Sequence, residues 1–545
     1  MPRIAPGSLT LLVLFVPAVW AAPVAAQGAG DVVLPDPIPM GTTLGQRAGR
    51  VLIRNATVIS GRGSPRTNRA MPPEGPIDIL IEGNRIVDMV LRDAVNMARA
   101  NAPMDNMGAD LVLDATGMYV IPGLVDMHVH LRADGGAMGA RALDYQYRLF
   151  MAHGVTTIRD AGTGAGMETL RAQRQQSAGN DLVAPRLVLC QRWPLPLRQW
   201  DVGNTPESAR EMVRSFKELG ADCIKVSKSP GHYPDVLEAI VDEGKQLGMQ
   251  TMVDLKVSET DAVTASDLGV ASVEHWYGVP DAALPGSQNF PPDYNYWTEL
   301  DRFRWAGNLW MEAAEYPDAL SAVMDRLIEN GTTWDPTLVV YEDMRDVRRS
   351  MTPPWRETLF HPSVVDGLWP DPTTHGAFKS EWKTSDEVMW KNNYSIWMDW
   401  VLEFHRRGGR LTAGSDTSPH GGIALIRELE LLQEAGLHPI DVIRVATTNA
   451  YQTLGMEDHC GVRVGCVADL AVINGNPIDN FKVMYGLGYG FYGNATREEQ
   501  SKQGGVRWTI KDGVVYDAPA LLREVLWYVE QEKARNITEE SGGLD

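Results

Sequence analysis

Between residues 205 and 275 the apolar period of the sequence switches back and forth between helix and strand. "TPESAREMVRSFKELG" carries Thr205 as a helix cap, Pro206 at the first helical position and Gly220 as the stop. The strand "ADCIKVS" follows, then a helix ending at Gly248, then the strand "MQTMVDL". A helix from about Glu259 to Leu268, with Gly269 as its stop, leads into the strand "VASVEH". Strands joined by helices lie parallel and need those helices packed over the sheet, so this rhythm predicts an α/β fold. Eight such units fit between residues 119 and 454, and the closure that leaves no sheet edge is a (β/α)8 barrel.

Both ends of the chain read differently. "VLIRNATVIS" and "IDILIEGNRIVDM" alternate apolar and polar residues around Gly83-Asn84, a hairpin signal, and "LVLDATGMYVIPG" adds a strand. Near the other end, "GCVADLAVINGNP" and "VRWTIKDGVVYD" form a matching set, the second turning at Asp512-Gly513. The two β-rich pieces, 47–118 and 455–520, are expected to pair into one small β-sandwich with the barrel, 119–454, inserted between them. Residues 27–46 read as a linker and 521–545 as a C-terminal helix or tail.

The first residues read as an address. "LTLLVLFVPAVW" followed by "AAPVAAQ" is too short to span a bilayer and has a small-residue cleavage pattern. Residues 1–26 are therefore expected to be a signal peptide, making the protein exported, periplasmic or extracellular. The net charge of −20 argues against nucleic acid or an anionic membrane as a partner. It leaves a small-molecule substrate and a homo-oligomer open. Cys190, Cys223, Cys460 and Cys466 are too few for a disulfide scaffold. Cys460 and Cys466 could bridge a small turn, although two unpaired thiols are the expected state. Eleven of the sixteen tryptophans fall between Trp276 and Trp400, in irregular sequence such as "NFPPDYNYW". They either wall the pocket as a lid or pack the loops against one another.

The chemistry gathers at strand ends. In "PGLVDMHVHL", side chains alternate along an extended strand, so His128 and His130 face one way and Val129 the other. Two imidazoles on one face can hold a metal ion. Lys225 lies inside "CIKVS", His275 ends "VASVEH" and Asp416 ends "LTAGSD". Each is at or near the C-terminal end of an expected parallel strand, where a barrel carries its active site. Singly, each has a plainer explanation: a satisfied core histidine, an outward-reaching lysine or a helix-capping aspartate. Five such coincidences at one mouth are harder to explain that way.

"PGLVDMHVHL", "HGVTTIRDAG", "GADCIKVS", "GVASVEH", "LTAGSDT", "ATTNAYQTLGM" and "GCVADLAVINGNP" together resemble, in order, the amidohydrolase superfamily, in particular its imidazolonepropionase-like and prolidase-like metal-dependent hydrolases. The resemblance covers about residues 50–515 and implies the same barrel and two-ended β domain. It implies that His128 and His130 bind a first divalent metal, with zinc as the leading expectation. Lys225, carboxylated by carbon dioxide, would bridge to a second metal bound by His275. Asp416 would bind the first metal and act as general acid and base while a metal-activated hydroxide attacks an amide carbonyl. Arg159, Asp160 and His153 in "HGVTTIRDAG" read as supporting residues.

One position departs from the family pattern. Where a histidine is usual at the end of the fifth strand, this chain has Asp254. It could ligate a harder ion, bind a substrate ammonium group, or leave the second metal position weak, and Lys256 could neutralise it. His232 and Tyr233 in "SPGHYPD" are candidates for substrate contact. The resulting expectation is an exported hydrolase of a C–N amide bond in a dipeptide or N-acyl amino acid. A mononuclear cyclic-amide hydrolase or deaminase, and a catalytically silent barrel, are the alternatives.

Overall fold

The computed structural model describes residues 34–542 except 64–68, 93–105, 134–140, 194–203, 228–232, 257–259, 285, 287–302, 305–307, 347–348, 350–351, 369–381, 418–419 and 490–503. The expected leader, 1–26, and His232 lie outside the described residues.

A parallel seven-stranded sheet runs in sequence order through β6 (Leu124–Val129), β7 (Val155–Asp160), β8 (Arg186–Trp193), β9 (Cys223–Val226), β10 (Gln250–Val253), β11 (Ser272–Glu274) and β12 (Thr333–Asp335). Residues 411–417 close it. They bridge Trp334 on one side and Val129 on the other, both in parallel, and the Asp416 N–H donates to the His128 carbonyl at 2.7 Å. The eighth side of the barrel is thus present but irregular. Gly414 explains part of this: a Cβ there would sit 2.6 Å from the His128 Cβ and 2.8 Å from the Asp335 carboxylate.

Helices cross over between the strands: α1 (Ala142–Ala152), α2 (Met167–Gly179), α3 (Pro206–Leu219), α4 (Pro234–Gln246), α5 (Ala262–Leu268), α6 (Pro317–Glu329), α7 (Thr384–Arg406) and α8 (Gly421–Glu434). Local chemistry sets their ends. In α3, Thr205 and Ser208 form a capping box, Pro206 opens the helix and Gly220 ends it at φ 90°. Helix α5 starts at Ala262, capped by the Asp261 side chain on the Thr264 N–H, later than the periodicity suggested.

The chain ends meet as expected. Strands β1 (Arg50–Val58), β2 (Glu74–Glu82), β3 (Arg85–Leu91), β4 (Leu111–Asp114) and β5 (Tyr119–Pro122) join β13 (Leu470–Ile473), β14 (Val506–Lys511) and β15 (Val514–Asp517) in one mixed sheet. β5 pairs with β13 in register from Tyr119–Ile473 to Pro122–Leu470. Ile53, Ile79, Ile81, Val120, Leu470 and Ile510 bury one another in a core of this sheet's own. The closing helix α9 (Ala518–Gly542) begins directly after β15, so the C-terminal helix starts inside the segment expected to be sheet. Among the described residues no helix is long and apolar enough to cross a membrane.

The cysteines correct one expectation. All four are paired, Cys190–Cys223 and Cys460–Cys466, and no free thiol remains. Cys190 and Cys223 are direct partners in the register of β8 and β9. Two thiols 33 residues apart meet only once those strands align.

The tryptophans also resolve. Trp276, Trp310, Trp334, Trp390 and Trp397 are fully buried, and Trp276 meets Trp390 edge-on at 5.9 Å. Among the described residues no tryptophan lines the cavity at the barrel mouth. They pack the long connections that follow β11 and β12.

Candidate active site

Five strand ends deliver the expected side chains to one place. His128 comes from β6 and His130 follows it. Lys225 lies in β9, Asp254 follows β10, His275 follows β11 and Asp416 stands on the closing segment. Nε2 of His130 is 2.9 Å from Oδ1 of Asp416, and Nε2 of His128 is 3.5 Å from the same oxygen. These three residues offer ligand atoms that all lie within 4.8 Å of one another. Nζ of Lys225 is 3.0 Å from Nε2 of His128, and Nε2 of His275 is 3.8 Å from Oδ2 of Asp416. The His128 and His275 rings are 4.7 Å apart.

The donor atoms suit a divalent ion because each central imidazole has its other nitrogen tied down. His128 donates from Nδ1 to Oε2 of Glu274 at 2.7 Å, and His275 has its Nδ1 2.6 Å from the Thr337 hydroxyl. With the proton held on Nδ1, the Nε2 lone pairs face the centre, as a metal requires. Burial, helped by Lys225, lowers the His128 pKa to about 4, and burial lowers that of His275 to about 3. Both rings are therefore neutral at pH 7. Burial alone would raise Asp416, but His128, His275 and His130 pull it well below the usual carboxylate range. Burial lowers Lys225 to about 8, against the pull of Asp254, Glu274 and Asp416.

Two of these residues sit on strained backbone. His275 and Asp416 adopt φ values of 63° and 51°, the left-handed region that non-glycine residues rarely occupy. Such conformations persist where surrounding structure holds them, and at functional sites they aim side chains that a regular strand could not.

Asp254 is the position that differs. Its Oδ2 accepts from the Ser227 hydroxyl at 3.1 Å and pairs with the Lys256 ammonium at 2.9 Å. His275 Nε2 is 3.8 Å from that same oxygen. Tyr233 caps the start of α4, is 52% exposed and does not line the mouth cavity.

Sequence reasoning missed Glu274, although it adjoins His275. Its carboxylate accepts from His128, from the Ser272 hydroxyl, and from Arg159 at 2.9 and 3.0 Å. Burial would raise Glu274, but Arg159 foremost and then His128 hold it down to about 2. Asp126 was missed as well. Its Oδ1 accepts the Ser415 N–H at 2.9 Å, tying the first barrel strand to the last. An acidic residue inside an apolar strand was the available signal for both. Arg159 was read as supporting, and it braces Glu274. His153 donates from Nδ1 to the Leu149 carbonyl at 2.7 Å, at the end of α1.

Above these groups opens a cavity of about 610 Å³, with His130, His275 and Asp416 at its floor. Phe303 and Tyr341 supply aromatic wall, and Arg192 and Lys256 supply positive charge. This volume suits a small molecule.

The amidohydrolase family model matches residues 119–287 and 399–515, more than half of the sequence. The chain belongs to the amidohydrolase family. Its relatives by sequence include a dihydroorotase of Pelotomaculum thermopropionicum, 46% identical over 66 residues, which are 10% of this chain and 15% of that one. A D-phenylhydantoinase of Escherichia coli is 31% identical over 143 residues, 26% of each chain. This amidohydrolase thus spans only 15% and 26% of the lengths of those two relatives. Solved structures resemble it over most of its length. A Xaa-Pro dipeptidase with bound methionine in its active site superposes with a TM-score of 0.56 at 20% identity, covering 86% of this chain and 100% of that one. The ochratoxinase of A. niger gives 0.56 at 16% identity, covering 87% and 96%. At such identities the likeness establishes the barrel and its attached sheet.

Proposed function

We propose that this amidohydrolase is an exported, metal-dependent enzyme that hydrolyses a C–N amide bond in a small substrate, a dipeptide or an N-acyl amino acid. The observation that carries the reading is the convergence of His128, His130 and Asp416 within 4.8 Å, with His130 and Asp416 lining a small-molecule cavity. Those three residues would hold one divalent ion, with zinc the first choice for a site built of imidazole nitrogen and carboxylate oxygen. Lys225 and His275 would serve a second position, together with Asp254, whose carboxylate is paired with Lys256. Lys225 would do so as a carbamate, its neutral amine adding to carbon dioxide with loss of one proton. A divalent ion bound there supplies two things, a lowered pKa for water and a polarised substrate carbonyl.

The remaining work falls to the chain. Glu274 and Thr337 keep the two central imidazoles with Nε2 facing inward. Asp416 is ionised and stands at the cavity floor, placed to take a proton from the attacking water and pass it to the leaving nitrogen. Phe303 and Tyr341 give the substrate an apolar wall. Tyr233 and His232, which follow Lys225 closely in sequence, stay candidates for substrate contact on the sequence pattern, although Tyr233 does not line the cavity and His232 lies outside the described residues. Export is supported by the leader-like first 26 residues and by two disulfides, which persist in oxidising compartments.

A second reading, a mononuclear hydrolase of cyclic amides or a deaminase, has one observation in its favour. The Lys256 ammonium, 2.9 Å from Asp254, already places a positive charge at the second position. Metal counting on purified protein separates the two, and a hydrolysis screen over dipeptides, N-acyl amino acids and cyclic amides tests both. The primary reading expects amide hydrolysis that His128→Ala abolishes together with bound metal. Full activity in that variant would overturn it.

A further inference from the structure

Positive charge also collects far from the catalytic floor. A cavity of about 810 Å³ opens where residues 411–417 begin, at the end of that segment opposite to Asp416. Arg69, Arg406, Arg410, Arg444, His405 and His438 line it, with Asp441 as the one acidic side chain of the lining among the described residues. This is the reverse of the chain's own balance of 50 basic and 70 acidic residues. Composition therefore does not account for it.

Asp441 is already engaged. Its Oδ1 accepts the Ala70 N–H at 3.0 Å and its Oδ2 lies 3.7 Å from His405 Nε2. Arg410 has no carboxylate partner among the described residues, and burial alone pulls it below its ordinary pKa. Burial lowers Arg444 too, opposed by Asp441 and reinforced by Arg410. Partly buried guanidiniums that repel one another cost free energy unless an anion sits between them. The planar fork of a guanidinium matches the paired oxygens of a tetrahedral oxyanion, and several together favour one carrying more than one negative charge.

We propose that this cavity binds a phosphate-bearing small molecule at a site separate from the catalytic one. The lining of this cavity shares no residue with that of the cavity over the catalytic floor, and the chain from Arg410 to Asp416 spans at most about 20 Å at ~3.3 Å per residue. The ligand would therefore not touch the catalytic floor. This inference does not depend on the hydrolytic reading.

Calorimetric titration of the metal-loaded protein with inorganic phosphate, and then pyrophosphate, at constant ionic strength tests it. The expected result is saturable binding, tighter for pyrophosphate, weakened at least tenfold by Arg410→Met. Arg406→Gln, at an exposed helix end where folding is not at risk, is expected to weaken binding several-fold and leave amide turnover unchanged. Absence of saturable binding would overturn the proposal. So would heats reproduced by sodium chloride at the same ionic strength. Binding indifferent to both substitutions, the signature of phosphate on the catalytic metal, would overturn it as well.

Discussion

Glu274→Gln removes a charge and no volume, and its consequences can be worked through from the partners of that carboxylate. In the native protein three donors make four hydrogen bonds to two oxygens: His128 Nδ1 at 2.7 Å, one Arg159 nitrogen at 2.9 and 3.0 Å, and the Ser272 hydroxyl. A glutamine offers one acceptor and one donor. If its oxygen faces His128, its NH2 meets Arg159, donor against donor, and the Ser272 hydroxyl must turn to accept. If its NH2 faces His128, Nδ1 must accept, and the ring proton moves to Nε2, where the metal lone pair is needed. Either way the imidazole loses a charge-assisted partner, an effect of about 10–100-fold in metal affinity for such second partners. That is about 1.4–2.7 kcal/mol. Arg159 is meanwhile left buried opposite Asp335, whose pKa burial and Glu274 raise well above the ordinary value. Breaking one side of a buried pair costs about 3–5 kcal/mol of stability. Loss of the Glu274 charge removes one of the causes that raise Asp335, burial being the largest, and so lets Asp335 ionise more readily beside Arg159 and recover part of that. Competition against a calibrated chelator measures the first effect and thermal melting of the metal-free protein the second. Unchanged metal affinity in Glu274→Gln would refute the claim that Glu274 orients His128 for an ion.

Other substitutions probe different parts of the account. Gly414→Ala should cost about 1–3 kcal/mol through overpacking, since its Cβ would lie 2.6 Å from the His128 Cβ; a wild-type melting temperature would contradict the packing argument. Lys256→Met frees the carboxylate of Asp254 from the ammonium 2.9 Å away. It should raise the occupancy of the second position by an oxygen-preferring ion such as manganese, measured by elemental analysis, and no change would show that the lysine does not guard that position. Cys190→Ala with Cys223→Ala opens a loop of 33 residues. Loop-closure entropy alone predicts a loss of about 4 kcal/mol, to be read by denaturant unfolding.

Much of the candidate site was legible because side chains at the strand ends of a barrel obey a simple placement rule. His128, His130, Lys225, His275 and Asp416 each end or adjoin a strand, and parallel strands bring their C-terminal ends to one mouth. Asp254 was found by the same counting, and its pairing with Lys256 was foreseeable from the two-residue period. Glu274 was harder to read. It acts on His128, 146 residues away, and its neighbour His275 points elsewhere, so only closure of the barrel reveals the pair. The Cys190–Cys223 bridge was hidden for a similar reason, since strand register, and not sequence spacing, brings the thiols together. The tryptophans illustrate a limit of composition. Crowding between Trp276 and Trp400 marked where the long loops lie, but burial of their rings depends on partners the local sequence does not name.

The whole account rests on an ion at the barrel floor, and diffraction recorded on either side of the zinc absorption edge from crystals of the purified protein tests this most directly. An anomalous peak enclosed by Nε2 of His128, Nε2 of His130 and a carboxylate oxygen of Asp416 is the predicted result. Crystals grown with zinc supplied in excess that show no peak among those three side chains would contradict it.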